Sequence, residues 1–234
     1  MEVVRAWRGL REDDPLKEKV GTAIQRARRA VALYRDEELA LSFNGGKDST
    51  VVLHILRAAH ALECGGSENE NENENEASRG VEWLSFFFPS PDDFEDITAF
   101  VRDASEDLGL GVKWMDGSFK DGLDTLVRGG VRAIVIGTRQ SDPNAKGQDV
   151  FCPSSEGWPP FMRVNPILDW TYADVWSFLL LIKAKYCVLY DQGYTSLGGK
   201  KDTKKNDLLL DQEQGTYKPA YTLTQEDEER AGRA

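Results

Sequence analysis

The sequence predicts an α/β fold: a mostly parallel sheet with helices on both faces, followed by a loop-rich C-terminal extension. Short apolar runs alternate with longer amphipathic segments up to residue 137, which is the pattern of a parallel sheet covered on both faces. From residue 150 onward, prolines and then glycines and lysines interrupt that alternation. We therefore expect an α/β domain over residues 1–185 and an extension over 186–234 that lies across it.

The elements follow from the spacing of apolar residues. Apolar side chains at helical spacing predict amphipathic helices over 16–34, 51–61, 92–108 and 119–128. Short continuous apolar runs predict buried strands over 39–43, 81–88, 112–115 and 131–137. A further helix is expected to begin at Thr171, where Thr171 and Asp174 can form a capping box.

One segment between the predicted elements is expected to be a disordered, solvated insertion. Residues 68–76 alternate Glu and Asn strictly, so that neither face of a strand would be apolar. We place the insertion at residues 64–80. The segment holds five Glu and one Arg, so about a third of the formal net charge of −11 belongs to it.

Composition excludes several classes of function. With 29 Lys and Arg against 40 Asp and Glu, a polybasic nucleic-acid surface is not expected. No apolar run approaches the roughly 20 residues that a membrane-spanning helix needs, and the charged N-terminus does not resemble a signal peptide. Three scattered cysteines form no metal-binding spacing, which indicates a reducing, cytoplasmic setting. We expect a monomer that binds neither nucleic acid nor membrane.

The loop after the first strand is the first candidate site. A strand, a glycine-rich loop and a helix in succession direct backbone N–H groups and the positive end of the helix dipole at an anion. Gly45 and Gly46 allow close approach of a phosphate, although the spacing is not that of a Walker A loop. Asp48 would repel phosphate unless Mg²⁺ lies between them or the carboxylate caps the helix. The residues alone leave both interpretations open, a phosphate-binding loop and a capped turn.

A second unusual loop follows the strand predicted at 131–137. Gly137 ends the strand, Arg139 offers a bidentate fork for phosphate, and Asp142 with Pro143 starts a turn. The alternative is that Arg139 and Asp142 pair to brace a surface loop. Loops 44–49 and 137–149 both follow strands, and ligands of parallel sheets bind at the carboxyl ends of strands.

The C-terminal half contributes further candidates. Trp158 stands in a proline-rich loop and could form a wall for an aromatic ring, whereas Trp170 and Trp176 are expected in the core. Arg230 and Arg233 would share a face of a helix, or they belong to a solvated charged terminus. The two histidines of the chain, in the predicted helix over 51–61, are expected to be structural or exposed.

Five segments resemble motifs of one family, in the expected order over residues 38–233. SFNGGKDS at 42–49 resembles the SGG-x-D-S loop of the PP-loop ATP pyrophosphatase superfamily, whose members cleave ATP between its α and β phosphates. Its Phe-Asn-Gly-Gly-Lys-Asp form is similar to the branch that includes PAPS reductases and eukaryotic-type FAD synthases (FMN adenylyltransferases). The other four segments are IGTRQSDP (136–143), PILDWTYADVW (166–176), YDQGYTSLG (190–198) and ERAGR (229–233).

The resemblance implies adenylyl transfer, in which the phosphate of FMN attacks the α phosphorus of ATP to give FAD and pyrophosphate with the help of Mg²⁺. It assigns ATP and phosphate binding to Ser42, Phe43, Gly45, Gly46, Lys47, Ser49 and Arg139. It assigns catalysis to Asn44, Asp48, Asp142, Arg230 and Arg233, with Asp48 holding the metal directly or through water. The flavin would contact Trp158 and Ser155, which stands where the family usually has an acidic residue; Glu156 is adjacent.

Two alternatives remain at this point. A sulfonucleotide (PAPS/APS) reductase would need a nucleophilic cysteine in an E-C-G-[IL]-H segment, and no such segment occurs; Cys187 lies in an apolar stretch. A non-catalytic nucleotide-binding module would keep the phosphate loop without turnover.

Overall fold

The computed structural model describes residues 2–64 and 83–233. Two predictions therefore lie outside the described residues: the insertion over 64–80, except for Cys64 at the end of a helix, and the first two residues of the strand over 81–88. The α-helices of the described residues are α1 (Glu2–Gly9), α2 (Pro15–Leu33), α3 (Lys47–Cys64), α4 (Glu95–Leu108), α5 (Phe119–Arg128) and α6 (Tyr172–Leu181).

A six-stranded sheet forms the centre of the fold. Its strands are β1 (Leu39–Ser42), β2 (Leu84–Phe87), β3 (Lys113–Trp114), β4 (Ala133–Val135), β5 (Phe151–Pro153) and β6 (Met162–Val164). Their order is β3-β2-β1-β4-β6-β5, and every neighbouring pair is parallel except the antiparallel edge pair β5–β6. The predicted α/β fold with a mostly parallel sheet is therefore confirmed.

Apolar cores lie on both faces of the sheet. The larger core packs α2, α3 and α6 against one face and includes Leu41 and Val135. The smaller core lies on the other face, where Leu123 and Leu126 of α5 meet Phe86 and Ile134. Side chains of successive strand residues alternate between these cores, as the pleat of a strand requires.

The predicted capping box and aromatic core residues are present. Thr171 accepts a hydrogen bond from the N–H of Asp174, whose carboxylate accepts one from the N–H of Thr171, so α6 begins where the sequence indicates. Trp170 and Trp176 are each only 3% exposed, which confirms their place in the core.

The chain beyond α6 packs on the larger core. It contains a short hairpin of β7 (Leu210–Asp211) and β8 (Thr216–Tyr217). Short 3-10 helices occupy Val188–Gln192, Lys200–Asp202, Asp207–Leu209, Ala220–Thr222 and Glu226–Glu228. Leu189, Tyr190 and Ala220 are buried in the larger core, so this segment is packed on the α/β unit. In the described residues, no helix has the length and apolarity needed to cross a membrane.

Candidate active site

The two loops singled out in the sequence lie side by side. Strands β1 and β4 are parallel neighbours, so the loop after each strand emerges at the same edge of the sheet. Gly45 takes a φ of +72°, in the left-handed region that favours glycine. A side chain there would also press against Ile97 and Val101 of α4. The turn from β1 into α3 is therefore tight enough to bring the helix N-terminus directly to the edge of the sheet.

Hydrogen bonds fix the shape of the first loop. The side-chain oxygen of Asn44 accepts from the N–H of Gly46 at 3.0 Å, and Ser49 Oγ donates to the carbonyl of Gly46 at 2.9 Å. The N–H of Lys47 donates to the hydroxyl of Tyr190 at 2.9 Å. The loop is thus anchored both by its own side chains and by the segment beyond α6.

Ser42 and Phe43, both assigned to ATP binding from the sequence, lie at the end of β1 and just after it. The ring of Phe43 is fully buried and contacts Phe100 of α4, with ring centroids 6.2 Å apart. Ser42 ends β1 and pairs with Phe86 in the parallel register. The geometry places the side chain of Phe43 in the core.

Four charged side chains meet at this edge, and we call them the charge cluster: Lys47, Asp48, Arg139 and Glu229. The ammonium of Lys47 lies 2.9 Å from Asp48 Oδ2 and 2.5 Å from Glu229 Oε1. The Nη2 of Arg139 donates to both carboxylate oxygens of Glu229, at 2.6 and 2.7 Å. Its Nε lies 2.8 Å from Asp48 Oδ1, a charge contact whose orientation is not that of a hydrogen bond. The cluster holds two cations and two anions.

The charge cluster is buried, and its charges shift the pKa values of Lys47 and Asp48. Lys47 and Arg139 are 2% and 1% exposed. Burial acts to lower the pKa of Lys47, but the carboxylates of Asp48 and Glu229 outweigh it, and the pKa of Lys47 is raised. Burial likewise acts to raise the pKa of Asp48, yet Lys47 and Arg139 leave the pKa of Asp48 lowered. Lys47 and Asp48 are therefore both charged at neutral pH.

The contacts of Arg139 connect the loop after β4 with two other segments of the chain. The backbone N–H of Arg139 donates to Asp142 Oδ2 at 2.9 Å, which caps the turn after β4. Its guanidinium is buried against Asp48 and Glu229. The predicted pair of Arg139 and Asp142 is therefore present only through the backbone N–H of Arg139. The guanidinium of Arg139 instead contacts Asp48 and Glu229, which both lie outside loop 137–149.

Asp142 faces the same cluster. Burial raises the pKa of Asp142, and the negative charge of Asp48 adds to that rise, while hydrogen bonding to the N–H of Arg139 opposes it. Two carboxylates whose charges repel each other beside a predicted phosphate loop fit a magnesium site, because Mg²⁺ is bound through one or two carboxylates together with waters and substrate phosphates. Within residues 2–64 and 83–233, no three His, Cys, Asp or Glu side chains form a ready-made metal site.

The C-terminal segment folds back against the site. Arg233 Nη1 donates to the carbonyl of Leu197 at 2.6 Å, and Arg233 forms an antiparallel bridge with Thr203. Burial, and then the charge of Arg230, lower the pKa of Arg233, which places the two arginines close together. Arg230 itself is exposed.

The segment YDQGYTSLG at 190–198 holds this tail in place. The buried hydroxyl of Thr195 donates to the backbone carbonyl of Glu229 at 2.6 Å. The amide of Asn206 donates to Thr195 Oγ1 at 3.1 Å and to the carbonyl of Glu228 at 2.8 Å. The segment therefore connects the tail, through Thr195, with the first loop, through Tyr190.

Trp158 belongs to an aromatic surface. Its ring contacts Phe119 edge-on, with centroids 6.0 Å apart, and Phe119 contacts Phe88 at 4.6 Å. Trp158 and Phe119 are 41% and 51% exposed. Ser155 lies in the same loop, where its hydroxyl accepts a hydrogen bond from Arg163 at 2.8 Å and its carbonyl accepts one from the N–H of Trp158. The described contacts link these rings to each other and not to the charge cluster.

Sequence reasoning did not assign Glu229, Tyr190, Phe88 or Phe119 to the site. Glu229 is part of the ERAGR segment, but a glutamate in a charged tail carries no signal that it will be buried. The hydroxyl of Tyr190 reaches Lys47 across 143 positions of sequence. Phe88 ends the strand predicted over 81–88, and Phe119 begins the helix predicted over 119–128. Their positions at the ends of predicted elements were the available signal.

Comparison with known proteins finds relatives that match most of this chain. Residues 119–205 match the family described as phosphoadenosine phosphosulfate reductase domain. A probable FAD synthase of Schizosaccharomyces pombe is 36% identical over 221 residues, which cover 93% of this chain and 80% of that protein. A probable FAD synthase of Caenorhabditis briggsae is 34% identical over the whole chain, which spans 45% of that longer protein.

A solved structure shares the whole fold. The structure of Candida glabrata FMN adenylyltransferase in complex with FMN and an ATP analogue superposes with a TM-score of 0.81, over 99% of this chain and 96% of that one, at 22% identity. At that identity the likeness concerns the fold. The similarity to the S. pombe protein, over most of both chains, decides the family: this chain belongs to the FAD synthase family.

Proposed function

We propose that this protein is an FMN adenylyltransferase, which transfers AMP from ATP to the phosphate of FMN and releases pyrophosphate. The observation that carries the proposal is the convergence of three distant segments, the loop after β1, the loop after β4 and the ERAGR tail, on one buried charge cluster. The relatives named FAD synthase match this chain over 93% or more of its length.

The residues divide the work of binding. The N-terminus of α3, with Asn44, Gly45, Gly46 and Ser49 before and within its first turn, would hold the ATP phosphates. Arg230 and Arg233 would neutralise the phosphate of FMN and the leaving pyrophosphate, because the Arg230 side chain is exposed and guanidinium groups bind phosphate bidentately. Lys47 and Arg139 would act indirectly, because they contact the carboxylates of Asp48 and Glu229.

Asp48 and Asp142 would hold Mg²⁺, directly or through water. When bound there, Mg²⁺ supplies positive charge for the phosphate oxygens on which negative charge develops. The two aspartates otherwise keep the loops after β1 and β4 in register, since Asp48 contacts Arg139 and Asp142 caps the backbone of Arg139.

The flavin would lie against the aromatic surface of Trp158 and Phe119. Large, half-exposed rings provide a stacking face for a planar heterocycle. Ser155 and Glu156 border this surface. The hydroxyl of Ser155 already accepts a hydrogen bond from Arg163, so its contact with the flavin would be indirect.

The main contribution of the protein to this reaction would be to position the two substrates, because no side chain has to act as the nucleophile. The phosphate of FMN is itself the nucleophile and needs no side chain to take up a proton. The protein brings that phosphate in line with the α phosphorus and stabilises the developing charge, as in phosphoryl transfer generally.

The burial of Cys187 disfavours the alternative of a sulfonucleotide reductase. Cys187 is fully buried, and burial raises the pKa of its thiol to about 11. A reductase nucleophile needs the thiolate in an accessible position. We further propose a monomer working in the cytoplasm, in line with the free thiols of Cys152 and Cys187; size-exclusion chromatography with light scattering tests the oligomeric state.

Substitution of Asp48 tests the proposed function. The protein is incubated with FMN, ATP and Mg²⁺, and FAD and pyrophosphate are quantified after chromatography. Asp48→Asn keeps the shape and removes the charge facing the metal, so we expect FAD formation to fall by about 100-fold or more, with an unchanged circular dichroism spectrum. Asp103→Asn, at an exposed position on α4, is the matched control and should retain activity.

Two results would contradict the proposal. A wild-type protein that binds ATP tightly but forms no FAD would instead be a nucleotide-binding module. An Asp48→Asn variant with full activity would remove Asp48 from the reaction.

A further inference from the structure

We infer that Glu229 is a positioning residue for adenylyl transfer: its carboxylate balances Lys47 and Arg139, and thereby keeps Asp48 available to the metal and the tail arginines over the site. The inference rests on the proposed function and adds to it a residue that does not itself touch substrate. Glu229 comes from a part of the chain 182 positions away from Lys47.

Glu229 is fixed at both of its ends. Its carboxylate accepts three hydrogen bonds, one from the ammonium of Lys47 and two from the guanidinium of Arg139. Its backbone carbonyl accepts a hydrogen bond from the hydroxyl of Thr195. The residue is 7% exposed. Arg230 and Arg233 follow it within four positions, so the anchored glutamate determines where both arginines can reach.

The charges explain what the anchor does to Asp48. The two carboxylates share two buried cations, and both oxygens of Asp48 lie against them, at 2.9 Å from Lys47 and 2.8 Å from Arg139. In a buried setting such attractions are much stronger than in water. If the charge of Glu229 were removed, Lys47 and Arg139 would be compensated by Asp48 alone, and they would bind it more tightly. Asp48 would then be less available to Mg²⁺.

This role differs from that of a simple tail anchor. An anchor that only holds the tail would, when lost, release the arginines and weaken binding of FMN. A residue that also balances Asp48 would, when lost, change the magnesium requirement and kcat even at saturating FMN and ATP. The two roles therefore separate in the dependence of turnover on Mg²⁺.

The test compares Glu229→Gln with Glu228→Gln. Glutamine has the size of glutamate without its charge, and the side chain of Glu228 is exposed and has no side-chain partner among the described residues. Measurements are kcat, KM for FMN and ATP, the Mg²⁺ concentration for half-maximal turnover, and hydrogen exchange of residues 226–233. For Glu229→Gln we expect kcat to fall by about 10- to 100-fold, the half-maximal Mg²⁺ concentration to rise several-fold, and exchange in the tail to become faster. Glu228→Gln should match the wild type.

The following outcomes decide the inference. A Glu229→Gln variant with kcat and magnesium dependence within about two-fold of wild type overturns it, as does a loss of activity confined to a higher KM for FMN. If Glu229→Gln does not fold, Glu229→Asp carries the test: a raised magnesium requirement supports the inference, and an unchanged one overturns it. If the wild type forms no FAD, the proposed function fails separately, and hydrogen exchange of the tail still tests the anchor.

Discussion

Gly198 has no room for a side chain, because the guanidinium of Arg233 lies where a Cβ atom would project. The same arginine donates to the carbonyl of Leu197. A glycine in the YDQGYTSLG segment thus sets the position of an arginine in the ERAGR tail. At this scale the site is built from contacts between segments, each of which looks like an ordinary loop when taken alone.

Gly198→Ala should therefore impair activity more than stability. The added methyl group would displace the flexible end of Arg233, which can move away at little cost to the fold. We expect FAD formation to fall by about 10-fold and the melting temperature to change by only a few degrees. Gly9→Ala, at a position with open space around the Cβ, is the control. Steady-state FAD formation and a thermal melt are the two measurements; full activity in Gly198→Ala would show that Arg233 is not needed in its observed place.

At the scale of elements, α3 connects the site with the larger core. Its first residue, Lys47, belongs to the charge cluster, and its next turns bury Val51, Val52 and Leu56. His54 lies half-buried on the same helix, where burial and then the charge of Arg57 lower its pKa to about 4. The imidazole is therefore neutral in the folded protein at pH values where an unfolded chain would bind a proton.

His54 should make the fold acid-sensitive. Between its ordinary pKa of 6.5 and about 4, the unfolded chain binds more protons than the folded protein, so stability rises with pH across this window and is lost as pH falls. We expect a loss of about 2 kcal/mol between pH 7 and pH 4, less than the full shift would give, because the ring is half-buried. Urea unfolding at several pH values measures it. His54→Phe should show a smaller loss over the same window; an identical pH dependence in both proteins would contradict the role of His54.

The elements differ in how far the sequence could predict them. Strands β1 and β4 and the helix α5 follow from runs of apolar residues at regular spacing. Strands β5 and β6 have three residues each. Pro153 ends β5, and Pro159 and Pro160 lie between the two strands, so their pairing depends on the rest of the sheet. Helix α1 was also missed, since its apolar residues are few and it is held by packing on α2, where Trp7 donates to the carbonyl of Lys17.

The sequence could likewise predict only part of the candidate site. Asn44, Gly45 and Asp48 stand close together between a predicted strand and a predicted helix. That position indicates either an anion-binding loop or a capped turn, and the resemblance to a family favours the first. The partners of Lys47 and Arg139 do not follow from the sequence, because the burial of Glu229 depends on how the tail folds. In the structure the guanidinium of Arg139 contacts the carboxylate of Glu229, and its contact with phosphate stays a prediction.

At the scale of the whole molecule, an acidic protein would bind two phosphate-bearing substrates. The formal charge of −11 describes the surface, whereas the buried charge cluster contains equal numbers of cations and anions. The exposed Arg230, which follows Glu229 of the cluster, carries positive charge that a small anion can reach. Such local charge suits small anions, and the absence of a nucleic-acid surface, expected from the composition, stays a prediction.

The bond of ATP that breaks provides the most direct test of this function. The wild-type protein is given FMN, Mg²⁺ and ATP labelled either at the α or at the γ phosphorus, and the products are separated by chromatography. Adenylyl transfer predicts that the α label appears in FAD and the γ label in pyrophosphate, in equal amounts. Release of the α label as free AMP without FAD, or transfer of the γ label to the flavin, would contradict it.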